Sequence, residues 1–318
     1  MARLTTVDRH GLLATWENVC LGGHCFLILG GPSTATVVPD MAMLQARGVV
    51  TFGVNNVAAA VRTTFWTYGD STRKFHDAIW RDPGIIKFVP FPKMNNPIRT
   101  KLPDGAIVET DLKPVACPSV VGIYRNSDFR PDKYLWEDTI NWGVGADSIC
   151  KALQPWMAEH LALEAVPEMK LAKGQVNWKR VQRELGSGRL PRDVYDKYAP
   201  YPKILSTMLQ AVRLVYYLGF RNCYLLGADF SMAQDRKYLF DEQGNPGTVR
   251  GNNGAYPKLN ELFHHLRPVF DQAGFRIFNL NPESQLTAFD YLSFADAHAW
   301  ATELLPKSID TVGWYEKD

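Results

Sequence analysis

A run of apolar residues that stops abruptly at two glycines constrains this chain more than any other feature. His24–Ser33 reads HCFLILGGPS, and Val49–Val57 follows as VVTFGVNNV. A continuous apolar run closed by turn residues is the pattern of a parallel strand buried on both faces. Gly30 and Gly31 allow a sharp turn and a close approach of backbone to ligand. Pro32 suits a first helical position, and Ser33 suits a cap or an anion contact. The second run ends in Asn55 and Asn56, whose carboxamides can read base or sugar edges. Two adjacent parallel strands ending in small and polar residues predict a nucleotide crevice. Helix N-termini at such a crevice attract phosphate.

Further along, strand and helix signals alternate. A helix is predicted over Thr34–Arg47, with Val37, Val38, Met41 and Leu44 at helical spacing. Strands are predicted at Thr64–Tyr68, Ile85–Val89, Arg221–Leu226 and Phe275–Leu280, and helices at Thr72–Trp80, Leu205–Leu218 and Asn260–Ala273. Pro90–Arg130 reads as an irregular or hairpin excursion, and Gly244–Gly254 as a glycine-rich loop, either a mobile lid or surface. The expected fold class is α/β: a Rossmann-like parallel sheet flanked by helices, one nucleotide-binding domain over 1–318, with a helical basic insertion at about 151–200.

The chain has 318 residues, 46% of them hydrophobic, enough for a substantial core. Its mean hydropathy is −0.20, and no segment offers 18 uninterrupted apolar residues. The charged N-terminal stretch and five scattered cysteines (Cys20, Cys25, Cys117, Cys150, Cys223) lead us to expect a cytoplasmic protein with free thiols and no membrane partner. Cys20, His24 and Cys25 lack a second ligand pair, so no metal centre is expected there.

Strand exits end in Ser33, Asn55, Asp70 and Asp229. Asp229 or Asp70 is the expected general base, and either could instead hold a divalent cation. Asp70 could equally cap the following helix. Tyr238 and Tyr256 are expected to support a leaving group. His264 and His265 read as helix-surface residues.

The succession LILGGPS, FGVNN, YLGFRNCYLLGADFS and FNLNPESQL resembles the bacterial sialyltransferase-like fold and the related archaeal 6-hydroxymethylpterin diphosphokinase-like proteins, including phage-type relatives. The likeness covers roughly 24–90 and 203–290. It implies a nucleotide-sugar donor, UDP- or CMP-linked, held by Gly30, Gly31, Pro32, Ser33, Asn55, Asn56, Tyr238 and Ser284. The family's Ser-Gly pair falls near Thr207-Met208, without the glycine, and its histidine base falls near Tyr256-Pro257, so neither carries over. Tyr256 joins Asp229 and Asp70 as an expected catalytic group.

Lys170–Arg192 holds seven basic residues and one acid, against a net charge of +2 for the whole chain. Lys170, Lys173, Lys179, Arg180 and Arg183 could grip phosphates, with Trp178 stacking on a base. A solvated helical face has the same composition. The expected activity is glycosyl transfer to an acceptor hydroxyl, with a hydroxymethylated pyrimidine in DNA as acceptor. The alternatives are a diphosphokinase-like enzyme on a small heterocycle and a non-catalytic nucleotide- or nucleic-acid-binding protein.

Overall fold

The computed structural model describes residues 6–10, 12, 14–70, 72, 75, 77–101, 106–123, 206–233, 238–240 and 246–303. The basic stretch 170–192, with Lys170, Lys173, Trp178, Lys179, Arg180 and Arg183, lies outside them, as does the insertion at about 151–200.

The architecture is α/β and Rossmann-like. Its strands are β1 (Thr6–Val7), β2 (His24–Ile28), β3 (Thr51–Val54), β4 (Phe65–Thr67), β5 (Ile86–Pro90), β8 (Val120–Ile123), β9 (Asn222–Leu226), β10 (Arg276–Asn279) and β11 (Asp290–Tyr291). They form one nine-stranded sheet in the order β1-β8-β5-β4-β3-β2-β9-β10-β11. Only β1 runs antiparallel to its neighbour; every other pairing is parallel. A separate hairpin, β6 (Arg99–Lys101) with β7 (Ile107–Glu109), is inserted between β5 and β8.

The chain leaves β2 towards β3, β4, β5 and β8, then returns to lay β9, β10 and β11 on the other side of β2. The order therefore reverses between β2 and β9. Ligands of open parallel sheets bind at such a reversal, outside the carboxyl ends of the strands.

Alternation along the strands explains the two-faced burial. Cys25 and Leu27 of β2, with Cys223 and Leu225 of β9, enter one core. Phe26 and Ile28, with Tyr224 and Leu226, enter a second core on the opposite face. Successive side chains point to opposite faces, so only an all-apolar strand satisfies both cores. The first core is covered by α4 (Thr207–Tyr217) and α5 (Pro246–Gln272). In α5, Leu259, Leu262, Phe263, Leu266 and Phe270 make one buried stripe at helical spacing. The second core receives α6 (Phe294–Thr302) through Phe294 and Ala297.

Several expected elements change form. The helix expected over Thr34–Arg47 breaks into α1 (Thr34–Val37) and a 3-10 turn at Met41–Gln45. Pro39 lacks an amide and pushes Val38 into extended backbone, and Asp40 Oδ1 then accepts the Ala42 amide at 2.9 Å to start the next turn. The two remaining short helices are α2 (Val57–Ala60) and α3 (Asp77–Arg81). Because α3 begins at Asp77, Asp70 does not cap it. The stretch 246–254, expected as loop, is the first part of α5. Asn253 Nδ2 donates to the Met232 carbonyl at 3.0 Å, anchoring it despite Gly251 and Gly254. Among the described residues no helix is long and apolar enough to cross a membrane.

Candidate functional site

The exits of β2 and β9 meet at the reversal and are tied by one carboxylate. Asp229 is 9% exposed. Its Oδ2 accepts the Ser33 amide at 3.1 Å, and its Oδ1 accepts the Ser33 hydroxyl and Asn281 Nδ2, the latter at 3.1 Å. The Asp229 carbonyl accepts the Gln285 amide at 3.0 Å. The Gly31 amide donates to the Gly227 carbonyl at 3.0 Å. A side chain on Gly31 would fall onto that carbonyl oxygen and lie 2.6 Å from Asp229 Oδ2, which is why glycine stands there. The neighbouring exit of β9 by itself requires glycine at this position.

In this turn Ser33 and Gly31 bond within the protein. Ser33 starts α1 but makes no side-chain cap bond; its hydroxyl and its amide both serve Asp229. The amides of Gly31 and Ser33, residues that the resemblance assigns to the donor, are bonded within the protein. Asp229 occupies the place an anion would take. The groups facing it are hydrogen-bond donors, which suit an anion and disfavour a divalent cation beside the same oxygens. Among the described residues no group of three His, Cys, Asp or Glu is placed to hold a metal.

Ser284 is likewise committed to the scaffold. Its hydroxyl donates to the Ala228 carbonyl and accepts the Leu286 amide at 3.0 Å. That pins the β10 exit loop against the β9 exit. Asn281, which the sequence reading passed over, completes the arrangement. It lies directly after the strand FNL and could have been found as a fifth polar strand exit.

Beside this junction a cleft of about 470 Å3 opens towards the N-terminal half of α5. Phe230, Ser231, Met232, Asn253, Tyr256 and Asn260 are among its lining residues. Phe230 has φ +54, a costly conformation for an aromatic residue, and it presents the ring to Tyr256. The two rings stack at 5.1 Å and 27°. Burial first, then the nearby Tyr238 and Asp229, push the Tyr256 phenol up to about 12. At neutral pH it is a hydrogen-bond donor and not a base. Tyr238 stacks on Phe240 at 5.0 Å and covers Gly30, whose carbonyl accepts the Leu239 amide at 2.9 Å. Asn252 Nδ2 reaches the Tyr238 hydroxyl at 3.4 Å. Gly30, Gly31, Pro32, Ser33, Asp229, Tyr238, Tyr256 and Ser284 are thus neighbours in space.

Asn55 and Asn56 sit one strand away, at the exit of β3. Asn55 adopts φ +57, which asparagine tolerates, and its carbonyl accepts Trp66 Nε1 at 2.6 Å. Its Oδ1 is buried without a hydrogen-bond partner. Asn56 precedes α2 without a side-chain cap bond. Gln210 of α4, buried under the β4 exit, donates to the Thr67 hydroxyl and leaves its Oε1 without a partner. Nothing in its helical context signalled that role.

Asp70 stands apart. It is exposed at the exit of β4, and Lys93 Nζ bonds its carbonyl at 2.5 Å and that of Gly69 at 2.7 Å. β4 is three strands from β9 in the sheet, about 14 Å at the usual strand spacing. Asp70 and Asp229 therefore do not converge on one reacting atom. His264 Nε2 pairs with the Thr287 hydroxyl at 3.0 Å and His265 Nδ1 with the Glu261 carbonyl at 3.0 Å, both on the exposed side of α5.

No protein-family model matches this chain, and no curated protein matches it. Among solved structures it is similar to the MAf glycosyltransferase from Magnetospirillum magneticum AMB-1, at 11% identity and a TM-score of 0.37. The match covers 95% of this chain and 39% of that protein, so the chain spans about two fifths of its length. A likeness of that degree fixes no residue correspondence, and the chemistry of the site has to follow from this chain's own atoms.

Proposed function

We propose that the chain transfers a glycosyl group from a nucleotide-sugar donor to an acceptor hydroxyl, and that the acceptor is a hydroxymethylated pyrimidine in DNA. One observation carries the reading. A cleft of small-molecule size lies at the carboxyl ends of the strands, beside the order reversal, and combines stacked aromatic rings with carboxamides. Aromatic faces take the C–H face of a sugar, and carboxamides bond its hydroxyls.

In this mechanism the acceptor oxygen attacks the anomeric carbon as the bond to the donor phosphate breaks. The acceptor proton passes to Asp229, and the leaving nucleotide keeps the electron pair on its phosphate oxygen. Tyr256, neutral at pH 7, donates a hydrogen bond to that oxygen. Asn55 and Asn56, at the exit of β3, supply carboxamides to the nucleotide. The basic stretch around Lys179, Arg180 and Arg183, with Trp178 among them, supports a polyanionic acceptor.

Donor hydrolysis tests the catalytic half. Slow release of nucleotide from UDP-, CMP- or GDP-linked sugars is expected, whereas a binding protein releases none. The binding reading draws support from the full engagement of Asp229 by Ser33 and Asn281, so silence with all three donor classes decides for it. A thermal-shift screen with CMP, UDP, GDP and ATP identifies the nucleotide, since a bound ligand raises stability by mass action; a response to ATP alone favours diphosphokinase-like chemistry. Mass spectrometry of hydroxymethylated duplex DNA tests the acceptor. Replacing Lys179, Arg180 and Arg183 with alanine should leave donor hydrolysis intact and lower the salt dependence of DNA transfer. Equal transfer by this variant at low and physiological salt counts against DNA.

A further inference from the structure

Two prolines interrupt α5, and one of them faces the cleft. Pro257 and Pro268 both lie inside the 27-residue helix. Each lacks an amide, so each leaves the carbonyl four residues earlier without its helical donor. For Pro257 that carbonyl belongs to Asn253, and both residues line the cleft. For Pro268 it belongs to His264, outside the cleft. Asn253 contributes a second acceptor on the same residue: its Nδ2 is spent on the Met232 carbonyl at 3.0 Å, which leaves Oδ1 available. The stacked rings of Phe230 and Tyr256 form another wall.

We propose that Pro257 and Asn253 form the recognition point for a hydroxyl-rich ring, with the released Asn253 carbonyl and Asn253 Oδ1 accepting from neighbouring hydroxyls while the Phe230–Tyr256 pair supports the ring. Two acceptors on one residue suit a ligand offering two donors close together, which a vicinal diol does. The diol can belong to the ribose of a nucleotide or to the transferred sugar. The site rests on the glycosyltransferase reading only for which of these it holds.

Calorimetric titration of the full chain with UDP-glucose, UDP, 2′-deoxy-UDP and methyl glucoside tests the proposal. Pro257→Ala restores the amide that bonds the Asn253 carbonyl, and Pro268→Ala makes the same repair away from the cleft. Both variants should melt at higher temperature than the wild type. Only Pro257→Ala should weaken binding, by about fivefold for loss of one hydrogen bond. If the ribose is the ligand, UDP responds to Pro257→Ala, and 2′-deoxy-UDP, with one of the two hydroxyls missing, binds more weakly than UDP. If the transferred sugar is the ligand, methyl glucoside binds, and UDP-glucose but not UDP responds. Wild-type protein that binds none of the four, or a Pro257→Ala variant that binds all of them as the wild type does, overturns the site. Failure of the transferase reading looks different: ring binding stays sensitive to Pro257→Ala while no nucleotide sugar is turned over.

Discussion

Replacing Asp229 with asparagine separates the carboxylate's two tasks, holding the loops and moving a proton. The substitution keeps size and removes charge. In the native protein the carboxylate accepts the Ser33 amide at 3.1 Å, the Ser33 hydroxyl, and Asn281 Nδ2 at 3.1 Å, all in a nearly buried setting. Asparagine offers one oxygen and one NH2 group. Placed at Oδ2, the NH2 confronts the Ser33 N–H, which cannot accept. Placed at Oδ1, it confronts the Asn281 NH2, and relief requires the Ser33 hydroxyl to turn and the Asn281 amide to flip. Losing a charge-assisted bond costs about 1.5–3 kcal/mol, and an unpaired buried donor about 1–3 kcal/mol. Relief in the second arrangement brings the expected total to about 2–4 kcal/mol. A domain of ordinary stability, about 5–15 kcal/mol, survives that loss. Urea unfolding should show a lower midpoint at unchanged slope. Ser33→Ala should cost about 1 kcal/mol, and the double variant less than the sum, since the pair shares its bonds. A loss below about 0.5 kcal/mol with additive singles would refute the clamp. If Asp229 also accepts the proton, turnover at saturating donor falls by about 100-fold or more in molecules that remain folded. Normal turnover leaves it a positioning residue.

Two further perturbations probe the scaffold. Gly31→Ala should abolish stable folding or lower stability by more than about 2 kcal/mol, because its Cβ falls onto the Gly227 carbonyl, whereas Gly254→Ala meets no atom within 4 Å and should stabilise by about 0.5–1 kcal/mol. Chemical denaturation of both variants checks the contrast, and equal effects refute it. Lys87 is fully buried, its Nζ bonded to the carbonyls of Asp82, Ile85 and Pro118 at 2.6, 2.8 and 3.0 Å. Burial lowers its pKa from 10.5 to about 8. Between those values the unfolded chain holds the proton and the folded chain releases it, so this residue's contribution to stability rises with pH across that window, on the order of 2–3 kcal/mol. The difference between wild type and Lys87→Met isolates it from the thiols and from Tyr224 and Tyr256, whose raised values act in the opposite direction. A difference independent of pH from 7 to 10.5 would show that the three carbonyls hold the ammonium charged throughout.

Much of the sheet was legible because burial on both faces leaves a strong trace. β2, β3, β4, β5, β9 and β10 fall within one or two residues of their expected places, since HCFLI, TFGV and NCYLL admit no amphipathic alternative. β8 and β11 were not legible. Four residues within a proline- and glycine-rich stretch, and two residues at an edge, carry too little pattern. The start of α5 was misread because Gly251, Asn252, Asn253 and Gly254 are poor helix formers. Tertiary anchors outweigh that preference: Asn252 on Tyr238 and Asn253 on Met232.

The site divides along the same line. Which residues gather at the reversal follows from strand exits, and a period-2 reading finds exits. What each residue does there depends on partners the local pattern cannot supply. Ser33 and Asp229 are 196 positions apart, and nothing near either announces the other. Read locally, GGPS is a turn with free amides waiting for an anion. Joined to Asp229, it is a turn whose anion is already present. An incoming phosphate would meet that carboxylate, and like charges at contact distance repel, most strongly where water is excluded. A nucleotide at this crevice must therefore keep its phosphate clear of the Asp229 oxygens. Asn55 stands at the exit of β3 and the cleft beside Phe230 and Tyr256 at the exit of β9, with β2 between them in the sheet. A donor that reaches both has its phosphate drawn towards Tyr256, whose phenol holds its proton and can donate. Tyr256→Phe should then reduce donor turnover about 10- to 100-fold while sparing stability. Loss of donor binding with unchanged turnover at saturation would instead place Tyr256 in ground-state recognition and leave the departing charge to another group.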